Sequence, residues 1–380
     1  MPSYIAHIET IETALVSLLK TIPGMVVDQN EILTSAKSAI LFYGIDDIDQ
    51  PDQKHGLEIP VKTPSGQNWT MAVLTKANGE PRLVRESCAW LRSAIDRSSQ
   101  SNLYPVIAAT YISNRAAQIC NEMNVGYIDL SGNCRLAFDS IFIEKAGVQN
   151  KQIEKRPLRS LFSPKSSRII RLLLENPFKT WGVQDLATAA NISLGLASKV
   201  KHKLLALDLI FDNNEGIKLK DPEVVLLDWA KNYSYKDNEL LPCYAPGGMY
   251  ELEDKLSKYC QQHKIRHALT LFSAANRVAP FVRGLSQSAI YIEADLKQTA
   301  SDLGWKPVPS GANFLLLKPF DDFILYNSRI VQESSYPIVS NIQLYLDLAS
   351  HKGRGEEAAE FLLEQKIKPQ LENWENKPAI

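Results

Sequence analysis

Apolar positions switch along the chain between helical spacing and strand-like runs, and the order of the two patterns outlines three regions. Ile8 to Leu19 reads as an amphipathic helix that Ile22-Pro23-Gly24 breaks. Two strand-like runs follow, His55 to Lys62 and Trp69 to Lys76, joined by the turn Thr63-Pro64-Ser65-Gly66. A helical pattern spans Pro81 to Ile95. Next come a strand at Pro105 to Ala109, a helix at Asn114 to Asn124 and a strand at Gly126 to Leu130. Strands alternating with helices imply a sheet with at least one parallel pair.

The central region has a different order. Ser163-Pro164 places a capping residue and then proline at a helix start, and Asn176-Pro177 stops that helix. A second helix runs from about Val183 to Ala190 and a third from Ser193 to Leu207. Leu186, Ala190, Ile192, Ala197 and Val200 fall where two helices must pack across a turn. Ala187 is small at the close approach, and Asn191 tolerates the left-handed turn position. Leu209-Ile210-Phe211 and Ile217-Lys218-Leu219 then bracket Asp212-Asn213-Asn214-Glu215-Gly216, the chemistry of a β-hairpin tip. This order predicts a winged helix-turn-helix. Downstream of Pro242 the pattern is mixed again. It predicts helices at Glu251–His263 and from Ser273, strands at His267–Leu271, Ala289–Ile292 and Asn313–Leu317, and a closing pair of helices.

The predicted fold class is therefore multidomain and mixed: an α/β domain over 1–155, a winged helix-turn-helix over 156–238, and an α+β domain over 239–380. At 380 residues, several cores are the natural expectation. The start has no signal-peptide pattern and no apolar stretch is long enough to span a bilayer, which predicts a cytoplasmic protein without membrane contact. Five scattered cysteines without metal-ligand spacing predict reduced thiols, no metal site and no cofactor.

Charge changes the picture. The net charge of −1 conceals a basic segment, Lys151 to Lys220, with 13 Lys and Arg against 6 Asp and Glu. A local cationic patch in an otherwise acidic chain points to an anionic partner, and double-stranded DNA fits the predicted winged helix. The candidate DNA-binding residues are Ser193, Leu194, Gly195, Ser198, Lys199, Lys201, His202 and Lys203 on the third helix, Lys218 and Lys220 on the wing, and Lys165 and Arg168 on the first helix. The third helix carries no arginine, so bidentate guanine contacts are not expected. Symmetric operators would require a homodimer.

The order of the N-terminal elements resembles the restriction-endonuclease-like PD-(D/E)xK fold, whose hairpin carries the metal-binding acids and a lysine. At the Glu-x-Lys position this chain has Leu74-Thr75-Lys76, so the resemblance implies an inactive scaffold. The alternative is a Mg²⁺-dependent nuclease using Glu58, Lys76 and Glu86. Asp129, Asn133 and Arg135, around the turn after Gly126–Leu130, form either a ligand or contact site or a self-satisfied turn. Ser273 followed by Glu293 and Asp295 offers a nucleotidyltransferase-like alternative in the C-terminal region, read against ordinary surface acids. The phrases Gly126-Tyr-Ile-Asp-Leu-Ser-Gly-Asn133, Ala268-Leu-Thr270 with Ser273-Ala-Ala275, Pro337 to Leu348, and Gly353 to Leu363 resemble the AbiEi-type antitoxin family of type IV toxin–antitoxin systems. That resemblance implies an autorepressing transcriptional regulator without enzymatic activity, opposed to a cognate toxin protein and linked to phage defence. Better-known members carry the winged helix at the N-terminus, whereas here it is central.

Overall fold

The structure, a computed structural model, describes residues 2–27, 31–34, 56–148, 161–213, 215–281, 287–331 and 336–372. His55, Asn214 and the expected domain boundary at 155/156 lie outside them. The chain is mixed α/β and divides into two compact units, Met1–Glu154 with Leu204–Asp208, and Lys155–Lys203 with Leu209–Ile380.

The first unit opens with α1 (Pro2–Lys20) and two short strands, β1 (Val26–Val27) and β2 (Leu33–Thr34). It continues with β3 (Gly56–Lys62), β4 (Asn68–Lys76), α2 (Pro81–Arg97), β5 (Leu103–Ala109), α3 (Asn114–Glu122) and β6 (Gly126–Asp129). A hairpin of β7 (Cys134–Phe138) and β8 (Ile141–Lys145) closes it. The sheet order is β1-β3-β4-β5-β6-β7-β8, with β2 also on β3; β4-β5 and β5-β6 are parallel, as expected for the strand-helix-strand unit. Strand alternation gives the sheet two apolar faces. Met71 and Val73 share one core with Ile11, Leu15 and Leu19 of α1, and Ala72 and Leu74 share the other with Val84, Cys88 and Leu91 of α2. The β7-β8 hairpin was not foreseen. In β7 a single polar residue, Arg135, interrupts the apolar Cys134, Leu136, Ala137 and Phe138, so no polar–apolar alternation marks the strand.

In the second unit α4 (Pro164–Glu175), α5 (Val183–Ala189) and α6 (Leu194–Ala206) occur where the apolar spacing predicts helices. Ser193 Oγ accepts from Leu196 N at 3.3 Å and caps α6, and Asn191 adopts φ +51° at the turn between α5 and α6. Ser163 is the N-cap residue of α4, but its hydroxyl donates to Ser166 Oγ instead of capping a backbone amide. Strands β9 (Ile210–Asn213) and β10 (Gly216–Leu219) form the expected hairpin, and a bridge from Trp181 to Ile217 adds a third strand position. Gly216 is required here. Its φ is +127°, and a Cβ would meet Trp181 O at 2.7 Å.

Beyond the hairpin, α7 (Pro222–Ala230) leads to a sheet built from β11 (Glu239–Tyr244), β12 (His267–Leu269), β13 (Ser288–Ile292), β14 (Lys306–Pro307), β15 (Phe314–Lys318), β16 (Arg329–Ile330) and β17 (Pro337–Ile338). Its order is β14-β11-β15-β13-β12-β17-β16, with β13-β15 and β12-β17 parallel. Helices α8 (Met249–Gln262), α9 (Leu271–Val278), α10 (Leu296–Asp302), α11 (Asn341–Ala349) and α12 (Arg354–Leu362) accompany it. Among the described residues no helix is long and apolar enough to cross a membrane.

Candidate nucleic-acid interface

Helix α6 buries Ala197, Val200 and Leu204 and turns the opposite face outward. Spacing of three and four residues makes those apolar positions one stripe, so Gly195, Ser198, Lys199 and His202 share the other side, with Leu194 at the edge of the stripe. Ser193, Leu194, Gly195, Lys199 and His202 are exposed, and Ser198, Lys201 and Lys203 are half-buried. Partial burial holds the Lys203 amine below its ordinary pKa. The thirteen residues of α6 include no acid, so the helix presents cations alone.

Arg168 and Lys201 are held in ion pairs within the protein. Arg168 Nε donates to both Asp321 carboxylate oxygens at 3.0 Å, Nη2 to Asp322 Oδ1 at 2.6 Å and Nη1 to Ala190 O at 3.2 Å, while its guanidinium lies 4.7 Å from the Phe323 ring centroid. The expectation that Arg168 holds a phosphate is corrected on this point: its donors already serve two aspartates and the end of α5. Lys201 Nζ sits 2.9 Å from Asp212 Oδ2, tying α6 to the hairpin. Lys220 Nζ lies 5.3 Å from the centroid of the exposed Phe211 ring, and Lys218 is half-buried beside it on β10. Lys165 at the start of α4 is exposed. Asn213 Oδ1 accepts from Glu215 N and Gly216 N at 3.1 and 3.2 Å, fixing the hairpin tip.

The alternative sites do different work. Glu58 and Lys76 are buried on β3 and β4, and Leu74 between them is 2% exposed and packed in the core. Glu86 faces outward on α2 and accepts from Arg82 Nε at 2.9 Å. Among the described residues no group of three or more His, Cys, Asp or Glu side chains is placed to hold a metal. Asp129 accepts from Ile112 N, Asn133 N and Asn133 Nδ2 at 2.8–2.9 Å, and Asn133 in turn exchanges hydrogen bonds with both backbone groups of Val148. These bonds favour the self-satisfied turn over a ligand site. Arg135 lies 5.9 Å from the ring centroid of exposed Phe142. Ser273 Oγ is spent on Thr270 O and the backbone of Ala289, Glu293 accepts from Arg266, and Asp295 caps α10 through Gln298 N.

One polar cluster escaped the sequence reading. Asp347 on α11 is fully buried and accepts from Tyr233 OH at 2.7 Å, Tyr291 OH at 3.0 Å, Gln343 Nε2 at 2.7 Å and the Thr270 hydroxyl. Gln343 Oε1 accepts from Arg171 Nη2 at 2.6 Å, and that guanidinium lies 5.0 Å from the Trp229 ring centroid. Burial raises the Asp347 pKa to about 6 against the pull of its four donors, and burial lowers that of Arg171. The chain of contacts joins α4, α7, β13 and α11, so the helix before α5 and α6 is tied to the C-terminal sheet through Tyr291. The signal lay in the segment 341–349, where Gln343 and Asp347 are four residues apart on an otherwise apolar helix.

No curated protein and no solved structure matches the chain. Residues 218–368, which start within β10, extend past the end of α12 and carry the Gln343–Asp347 pair, match the family described as "Transcriptional regulator, AbiEi antitoxin, Type IV TA system".

Proposed function

We propose that the chain is a double-stranded DNA-binding transcriptional regulator, an autorepressing antitoxin of a type IV toxin–antitoxin or phage-defence operon. In this reading α4 to β10 is a winged helix-turn-helix, with α6 in the major groove and Lys165, Lys199, Lys203, Lys218 and Lys220 along the phosphates. The observation that carries it is α6 itself: exposed Lys199 and His202 beside small residues, with no acid along the helix. The similarity of residues 218–368 to a family of antitoxin regulators supports the same conclusion for the operon context. Three domains divide the labour at 155/156 and 238/239. The first is a restriction-endonuclease-like scaffold without a complete metal site, the second reads DNA, and the third meets the toxin. A homodimer on a palindromic operator and a cytoplasmic location complete the proposal.

The test is a gel shift on the DNA upstream of the protein's own gene, first in EDTA and then with Mg²⁺. A discrete shift in EDTA that survives competitor DNA is expected. Lys199→Ala should lower the slope of log affinity against log salt by about 1. No shift, or cutting once Mg²⁺ is added, overturns the reading and makes Glu58, Lys76 and Glu86 the residues to mutate.

A further inference from the structure

Two features of the exposed face of α6 have no explanation in the folding of the chain. Leu194, three residues before buried Ala197 and so at the flank of the buried stripe, is nevertheless 48% exposed. Gly195 sits at the second position of α6 with an ordinary negative φ, and a Cβ built there meets nothing within 4 Å. Glycine is the least favourable residue in a helix after proline, and neither backbone conformation nor packing demands it here. An apolar side chain held outward next to a position kept bare suits a surface that something else approaches closely.

The chemistry of the face narrows what it reads. Guanine is distinguished by the fork of arginine or by lysine, adenine by the amide of asparagine or glutamine, and cytosine by a carboxylate. Helix α6 has no Arg, Asn, Gln, Asp or Glu, and its lysines begin only at Lys199, past the first turn. The remaining major-groove feature is the C5-methyl group of thymine, which is read by apolar contact. Resting on the DNA-binding function proposed above, we propose that Leu194 is a specificity-determining residue that packs against thymine methyl groups, with Gly195 kept bare so that the helix start can reach the groove floor. The half-site under α6 is then rich in A·T pairs, and Ser193 and Ser198 supply adaptable hydrogen bonds at its edges.

The experiment is selection of bound duplexes from a random-sequence pool in EDTA, followed by replacing each thymine of the selected site with deoxyuridine, which removes only the methyl group. For the native protein, affinity should fall about fourfold at one or two thymines, the factor expected for one buried methyl. Leu194→Ala should bind more weakly and be indifferent to the same replacements. Gly195→Ala should melt at the same or a higher temperature and yet bind more weakly, a combination that a purely structural glycine would not give. Selection of no sequence in EDTA overturns the DNA-binding reading and this one with it. A selected site whose affinity ignores deoxyuridine, or a Leu194→Ala protein that still discriminates it, overturns the role of Leu194 and leaves DNA binding standing.

Discussion

Replacing Asp347 with asparagine removes a buried charge while keeping the shape of the group that carries it. In the native protein the carboxylate has no solvent exposure, and burial raises its pKa from 3.8 to about 6. The folded state therefore holds a proton more firmly than the unfolded chain between about pH 4 and pH 6, and stability falls as pH rises through that window. At 1.36 kcal/mol for each unit, a charged Asp347 costs the fold about 3 kcal/mol above that window. Asparagine keeps Oδ1 for Tyr233, Tyr291 and Gln343, and its amide faces a Thr270 hydroxyl that can turn to accept. The hydrogen bonds to the charged form are already contained in that net shift, since each of them lowers the pKa against the larger effect of burial. Asp347→Asn should thus be about 3 kcal/mol more stable than the native protein near pH 8, or roughly 8 °C in melting temperature, with the two converging near pH 4. Asp347→Leu should lose about 4 kcal/mol or more, because the buried hydroxyls of Tyr233, Thr270 and Tyr291 lose their carboxylate acceptor. Thermal unfolding followed by circular dichroism across the pH range measures both. An Asp347→Asn protein that is less stable than native by the same margin at both ends of the range refutes the argument.

Arg168→Ala should destabilise by about 3 kcal/mol, since it strands the 9%-exposed Asp321 beside Asp322, and Asp321→Asn should be non-additive with it in a double-mutant cycle. A change confined to DNA affinity would contradict that role. Leu74→Glu, which restores an acid at the nuclease position, should lower stability by several kcal/mol and gain no Mg²⁺-dependent cutting, because the new carboxylate meets Val84, Cys88 and Leu91. A folded, DNA-nicking variant would refute this. Cys88 and Cys120 are buried with their sulfurs 3.8 Å apart, and their mutual hydrogen bond and then burial push the Cys120 thiol up. Mass spectrometry after alkylation should find both unmodified until denaturant is added, and early labelling would show that the α2–α3 core opens.

Periodicity and caps were enough to outline much of the local structure. Pro81, Ser163-Pro164, Asn176-Pro177 and Ser193 mark helix ends through the backbone chemistry of their own positions, and Gly216 marks the hairpin through its φ. The outward face of α6 was legible for the same reason: spacing on one helix separates Ala197 and Val200 from Lys199 and His202 without reference to any other part of the chain. The short strands β7, β8, β16 and β17 were not read, and the last two, of two residues each, are defined by their pairing alone. What only the tertiary structure decided was the fate of individual polar groups. Sequence places Arg168 among cations suited to phosphate, yet the fold brings it to Asp321 and Asp322, residues 153 and 154 positions away. It likewise collects Arg171, Tyr233, Thr270, Tyr291, Gln343 and Asp347 from five separate stretches of the chain into one network about a buried carboxylate. Charge and hydrogen-bonding capacity belong to the residue, but whether they are spent inside or offered to a partner depends on neighbours that only the folded chain supplies.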